Sequence, residues 1–271
     1  RSPRRARAFR YAKISWETPY DLVAGLFGKG YGPLVAKSLR YHLRCNRVRF
    51  NLAFTPLMLG AIGNMFLRDG SAENSFILTI AVFFYGGIVS TGAVTLNHFG
   101  YDDAGIRRYA VLPITFDYSL RAASFASLVI GGLAIPPGLV LWALFTRVSY
   151  EPVMAVVLLL NGVAGLFFFN ALSLWSSVLS PKRVDFNSIV GNQLSLGGNL
   201  VLIGGTSVAF GLAFFFMQRR GFEKIISYWW VFLFLGAVCI ILYAVSLSLI
   251  TRLLRSRRER LIEVIAGGSR N

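Results

Sequence analysis

Long apolar runs alternate with short polar ones along most of this chain. The first run extends from Phe50 to about Leu67 and contains Pro56 and Asn64. The second covers Ser75 to Asn97, and the third Ala122 to Thr146, where Pro136-Pro137 is expected to kink a helix. The fourth runs from Pro152 to about Leu179, the fifth from Leu200 to Met217, and the sixth from Ile225 to Ile250. A helix needs about 20 mostly apolar residues to cross a bilayer. The pattern therefore predicts an all-α, polytopic membrane protein with six transmembrane helices. Ahead of the first run, LVAKSLRYHLRCNRVR from Leu34 to Arg49 places Leu34, Val35, Leu39, Leu43 and Val48 among basic residues. That spacing predicts an N-terminal amphipathic connecting helix lying on the membrane surface. Residues 251–271 form a basic, amphipathic tail. The expected division is a basic segment over 1–49, a transmembrane domain over 50–250, and the tail.

Composition agrees with the pattern. The 271 residues are 55% hydrophobic and 15% charged, with a mean hydropathy of +0.59, which excludes an ordinary soluble domain. A net charge of +16 in a soluble protein would suggest nucleic acid. Here the basic residues sit at the chain ends and in loops. We read them as topology signals and contacts to the anionic lipid bilayer, with no nucleic-acid partner. Twenty-three of the 28 Lys and Arg fall in residues 1–49, 98–121, 181–199 and 251–271, and five fall in the alternate loops. Basic residues concentrate on the cytoplasmic side, so both termini are expected inside the bacterial inner (plasma) membrane. The Arg219-Arg220 pair is the one element against this orientation. Cys45 lies in a polar segment and Cys239 in an apolar run, so no disulfide is expected.

The most patterned polar stretch is NHFGYDDAGIRRYAVLPI, residues 97–114, between the second and third runs. Gly100 can end the incoming helix, and Asp102 or Asp103 can cap a new one. Asp103 and Arg107 are spaced for a surface ion pair. Ile106, Tyr109, Ala110 and Pro113 share one apolar face, and Pro113 closes the segment. The spacing predicts a short cytoplasmic helix of about ten residues, roughly 15 Å long. Such a helix serves either as a plain connector or as a contact for a soluble motor, and the spacing alone supports both.

At these residues the chain resembles the ABC-2 type permeases, the membrane subunits of ABC exporters. Their layout is an amphipathic connecting helix, two spans, a cytoplasmic coupling helix and four more spans. A subset of bacterial members carries a segment much like NxFGxDxxGxxxYxxxPI, matched here at Asn97, Phe99, Gly100, Asp102, Gly105, Tyr109, Pro113 and Ile114. KSLRYHLRCNRVR resembles their connecting helix, and RRERLIEVIAG their basic tail. The resemblance implies a coupling helix over Asp102, Asp103, Gly105, Arg107, Arg108, Tyr109 and Pro113 that docks on an ABC ATPase subunit. It also implies that ATP and Mg are bound and hydrolysed in that partner, not in this chain. A second six-span permease unit would complete the pathway, as a homodimer or as an upstream half. The chain begins at Arg1 rather than Met, which suits a C-terminal half.

Other motifs add little. No GxxxxGK[ST] phosphate loop occurs, so no nucleotide site, catalytic site or cofactor is expected here. The string NQLSLGGNL at 192–200 resembles an ABC signature loop but lacks the surrounding framework. Gly197 and Gly198 are instead expected to allow a bend or re-entrant entry into the fifth span. His98, Asp102 and Asp103 are the tightest cluster of cation ligands, and capping with surface charge accounts for them better. His42 is read as structural. The rival class is a membrane-embedded enzyme or assembly protein acting on lipid-like substrates at the cytoplasmic face. The spans carry no clear ionisable residue, which places the energy source outside this chain. Asn64, Asn161 and Asn170 are read as interhelical glue. Gly86, Gly87, Gly131, Gly132, Gly204, Gly205 and Gly211 suit close helix packing.

Overall fold

The computed structural model describes residues 19–69, 72–99, 116–146, 152–182, 195–218 and 229–267. Among them every regular element is helical. In chain order these are α1 (Pro19–Gly25), α2 (Gly28–Arg44), α3 (Asn46–Asp69), α4 (Ala72–Thr95), α5 (Phe116–Thr146), α6 (Pro152–Leu179), α7 (Leu196–Gln218) and α8 (Trp229–Gly267).

Three helices contain stretches long and apolar enough to cross a membrane: Asp117–Phe145, Pro152–Leu179 and Trp229–Arg257. The protein is thus a helical membrane protein. Two shorter apolar stretches, Ile77–Gly92 and Leu196–Gly211, lie in α4 and α7. The first expected span, α3, opens with Arg47 and Arg49 and includes Pro56, which dilutes its apolar run.

The six longer helices alternate in direction. Leu59 on α3 fits against Gly86 on α4 and Gly138 on α5. Asn51, near the start of α3, donates to the Val89 carbonyl in the last two turns of α4, so these two run antiparallel. Gly60 meets Leu141, while Val48 packs with Ala122 and Ala126, so α3 and α5 run parallel. Central α6 runs beside α4 and α8 in the same direction. Gly162 and Gly165 abut Phe84 and Gly87, and Leu174 and Val178 pack with Leu247 and Ile250. α7 closes on α4 through Gly205 against Ile88 and Phe169, and Tyr85 faces Phe210. One end of the bundle therefore gathers α2, the starts of α3, α5 and α7, the ends of α4 and α6, and the basic half of α8.

Several boundaries differ from the hydropathy pattern. The surface helix begins six residues earlier than Leu34, at Gly28, and breaks at Cys45, whose backbone is extended (ψ 122°). Its release has a visible cause: Arg49 donates to the carbonyls of Leu43 (2.6 Å) and Arg44 (3.2 Å). Those C-terminal carbonyls have no partner within their own helix. Gly28 starts α2 with φ +70°, a left-handed conformation only glycine takes freely, and turns the chain back from α1. α5 continues through Pro136 and Pro137, whose faces are exposed. The sixth run and the start of the tail are one helix of 39 residues. At 1.5 Å per residue it is about 58 Å long, nearly twice the hydrocarbon thickness of a bilayer.

Candidate functional site

The resemblance put the coupling residues at Asp102, Asp103, Gly105, Arg107, Arg108, Tyr109 and Pro113. All seven lie outside the described residues, as does the whole segment 100–115. What the structure describes is how both ends of that segment are fastened to the bundle.

The leading end is a turn, Leu96–Phe99, after the last residue of α4. Helix ends leave carbonyls unpaired, and here serines of α6 take them. Ser177 Oγ donates to the Thr95 carbonyl at 2.7 Å and accepts from the His98 N–H at 3.2 Å. Ser176 Oγ donates to the Leu96 carbonyl at 3.4 Å. Asn97 then grips the chain just past α6: its Nδ2 donates to the Lys182 carbonyl, and its Oδ1 accepts from the Lys182 N–H at 3.2 Å. A carboxamide presents one donor and one acceptor to the backbone of a single residue in this way, whereas a carboxylate offers acceptors only. Phe99 follows, fully buried among Leu120 of α5, Leu174 and Val178 of α6, and Leu254 of α8. The first and third residues of the motif that carried the resemblance, Asn97 and Phe99, are thus a clamp and an anchor.

The trailing end is fixed at Asp117, in the first turn of α5. Its carboxylate accepts from Arg255 Nε at 3.0 Å and Nη2 at 2.7 Å. The position also faces the positive end of the α5 dipole. Arg255 lies on the extension of α8, which stays packed on the bundle through Leu254, Leu261 and Ile265, all fully buried. The basic half of α8 thereby sits under the same platform as Phe99 and Leu120.

Two histidines are sealed beside this seam. His98 and His42 are both about 2% exposed. Burial pushes each imidazole down to about 3, and for His42 the nearby His98 lowers it further. Both are neutral at physiological pH. The structural reading of His42 fits its place on the buried face of α2, and His98 is equally enclosed. Among the described residues, neither ring nitrogen of His98 meets a hydrogen-bond partner.

Within the bundle, Asn170 bridges helices as expected: its Oδ1 lies 2.8 Å from Ser127 Oγ of α5. Asn161 instead turns back on its own helix, donating to the Val157 carbonyl at 2.9 Å. Ser124 and Tyr243 add a further α5–α8 contact at 2.8 Å between their hydroxyls. Gly197 and Gly198 do not form a bend. Ser195 caps α7 there, its Oγ accepting from the Gly198 N–H at 3.1 Å. Cys45 and Cys239 are free and buried in separate clusters, which agrees with the unpaired reading. Among the described residues no group of three or more His, Cys, Asp or Glu could hold a metal ion.

Sequence reasoning missed the partners in this seam. Ser173, Ser176 and Ser177 form a polar patch near the end of α6 and could have been noticed as such. Nothing in the sequence pointed to the Lys182 backbone, or to Asp117 pairing with Arg255, 138 residues away. The seam is a set of fastenings: Asn97 and Phe99 tie the end of α4 to α6, and Asp117 ties the start of α5 to α8. Comparison with protein-family models, with curated proteins and with solved structures finds no match.

Proposed function

We propose that this chain is the membrane permease of an ATP-driven exporter of the ABC-2 type. In this reading α3 to α8 are its six spans, and both termini face the cytoplasm of a bacterial inner membrane. The segment 100–115 is a coupling helix in which Asp102, Asp103, Arg107 and Arg108 face a separate ATPase subunit. Ile106, Tyr109 and Ala110 pack against the bundle. ATP and Mg belong to that partner, and a second six-span unit completes the pathway.

The observation that carries the reading is the double fastening of this segment. A connector needs only to join α4 to α5. This one leaves α4 through a bidentate amide clamp and a buried aromatic, and enters α5 at an ion pair with α8. Such anchoring turns displacement of the segment into displacement of α6 and α8, which is what a docked motor requires. The motif at Asn97 to Ile114 and the clustering of basic residues at this end support the same reading.

The test is co-purification with the ATPase partner, together with transport. The double variant Arg107→Glu, Arg108→Glu should insert normally and lose the partner by tenfold to a hundredfold or more, since charge reversal at a docked contact costs a few kcal/mol. Retention of both partner and transport would reduce the segment to a connector and end the proposal.

A further inference from the structure

We infer that the outer face of α2 is a binding site for the phosphate headgroup of an anionic membrane lipid. The inference stands on the geometry of α1–α3 and α5 and does not depend on the permease reading. α2 packs one face, through Val35 and Leu39 and the capping Cys45, against Ala122, Ala126 and Ile130 of α5. Phe27 stacks on Phe125 (5.3 Å) and Tyr31 on Tyr118 (4.8 Å), which fixes how α2 is rotated. The opposite face is then set outward, and it carries Pro33, Lys37, Arg40, Tyr41 and Arg44, one helical stripe. These five residues line an open cleft of about 230 Å³.

The cleft is pre-shaped. Asp21 of α1 accepts from Arg40 at 3.0 and 3.2 Å and orients its guanidinium. Tyr20 lies beneath the same guanidinium, and Lys37 Nζ sits 5.3 Å from the centre of the Tyr41 ring. Three cations against one carboxylate leave the cleft net positive. Apolar groups are exposed close by in the chain: Leu22 and Leu26 on α1, and Phe50, Phe54 and Leu57 as a stripe on α3. Phe50 and Phe54 are stacked on each other at 5.4 Å. A basic cleft on a helix whose chain neighbours α1 and α3 expose aromatic and aliphatic side chains fits an ionised phosphodiester above acyl chains. A soluble acidic protein would gain nothing from that stripe. Lys supplies a point charge to phosphate and Arg a planar fork.

The purified full chain in detergent would be titrated with phosphatidylglycerol and, separately, phosphatidylcholine, with binding read by native mass spectrometry. Phosphatidylglycerol should bind, and Lys37→Gln with Arg44→Gln should weaken it roughly thirtyfold, because each basic residue near an anionic surface contributes about 1 kcal/mol and 1.4 kcal/mol is tenfold. Both side chains are outside the packed face, so circular dichroism should be unchanged. The control pair Arg252→Gln with Arg260→Gln, exposed on α8, should leave binding within a factor of three. Equal loss in the control would mean diffuse charge and overturn the site. So would equal binding of phosphatidylcholine, or displacement of the lipid by millimolar inorganic phosphate.

Discussion

Asn97 holds more of this molecule together than its sequence context suggests. Its carboxamide pairs with both the N–H and the carbonyl of Lys182. Removing it in Asn97→Ala takes one hydrogen-bond partner from each of these two partly buried backbone groups, at about 1–3 kcal/mol. Thermal unfolding in detergent should therefore drop by several degrees. Asn97→Asp should also fail to restore stability, because a carboxylate cannot donate to the carbonyl. Recovery in the Asp variant would show that the donor half of the clamp is dispensable. The buried histidines give a second prediction at this scale. Their folded values of about 3 lie below the ordinary 6.5. The unfolded chain therefore takes up protons first as pH falls, and stability present above pH 6.5 is lost between there and about 3. Each histidine should cost roughly 2 kcal/mol by pH 5, at 1.36 kcal/mol per unit. A His98→Leu variant should show a flatter decline in melting temperature from pH 7 to pH 5, and an unchanged slope would refute the burial effect. The sequence displayed both histidines but not their burial, which arises only when α2 folds onto α5 and the α4 turn onto α6.

At the scale of elements, hydropathy located all six long helices, although only α5, α6 and α8 carry apolar stretches long enough to cross a membrane. It placed helix ends less well, because ends are decided by local hydrogen bonding. The Arg49 contacts that break α2 at Cys45 and the serine that starts α7 at Leu196 are short-range events which averaging over a window removes. Glycine packing was half legible. Gly86, Gly87, Gly131 and Gly205 sit at helix contacts, while Gly132, Gly204 and Gly211 face open space. The tightest crossing also needs Gly162 and Gly165, which the apolar pattern hid. A Cβ at Gly165 would overlap the Phe84 carbonyl, a backbone atom that cannot rotate away. Gly165→Val should then push α4 from α6 and cost at least the 1–3 kcal/mol typical of overpacking. Gly132→Ala, in open space, should be neutral or slightly stabilising, given the higher helix propensity of alanine. Melting temperatures of the two variants in the same detergent decide the matter: equal losses would remove the close-approach account of the α4–α6 contact.

For the whole molecule, alternation of six helices puts every described element that flanks the segment 100–115 at one end of the bundle. That end also holds α2 and the basic half of α8, which together carry nine of the 28 Lys and Arg. Packing and charge are independent sources for this grouping: the first comes from contacts such as Asn51 with Val89 and Ser124 with Tyr243, the second from sequence alone. Because positive charge marks the cytoplasmic side, the proposed orientation has a direct check. Ala104→Cys would be introduced into the otherwise unchanged chain, whose own Cys45 and Cys239 are buried and free. Buried thiols react slowly with polar reagents, so the native chain supplies a low background. A membrane-impermeant maleimide added to intact cells should leave position 104 unlabelled, and the same reagent should label it once the membrane is opened. A cysteine in place of Ser149, between α5 and α6 in the sequence, should label in intact cells. Labelling of position 104 from outside would invert the molecule, place the basic platform away from any cytoplasmic ATPase, and remove the physical basis for coupling through that segment.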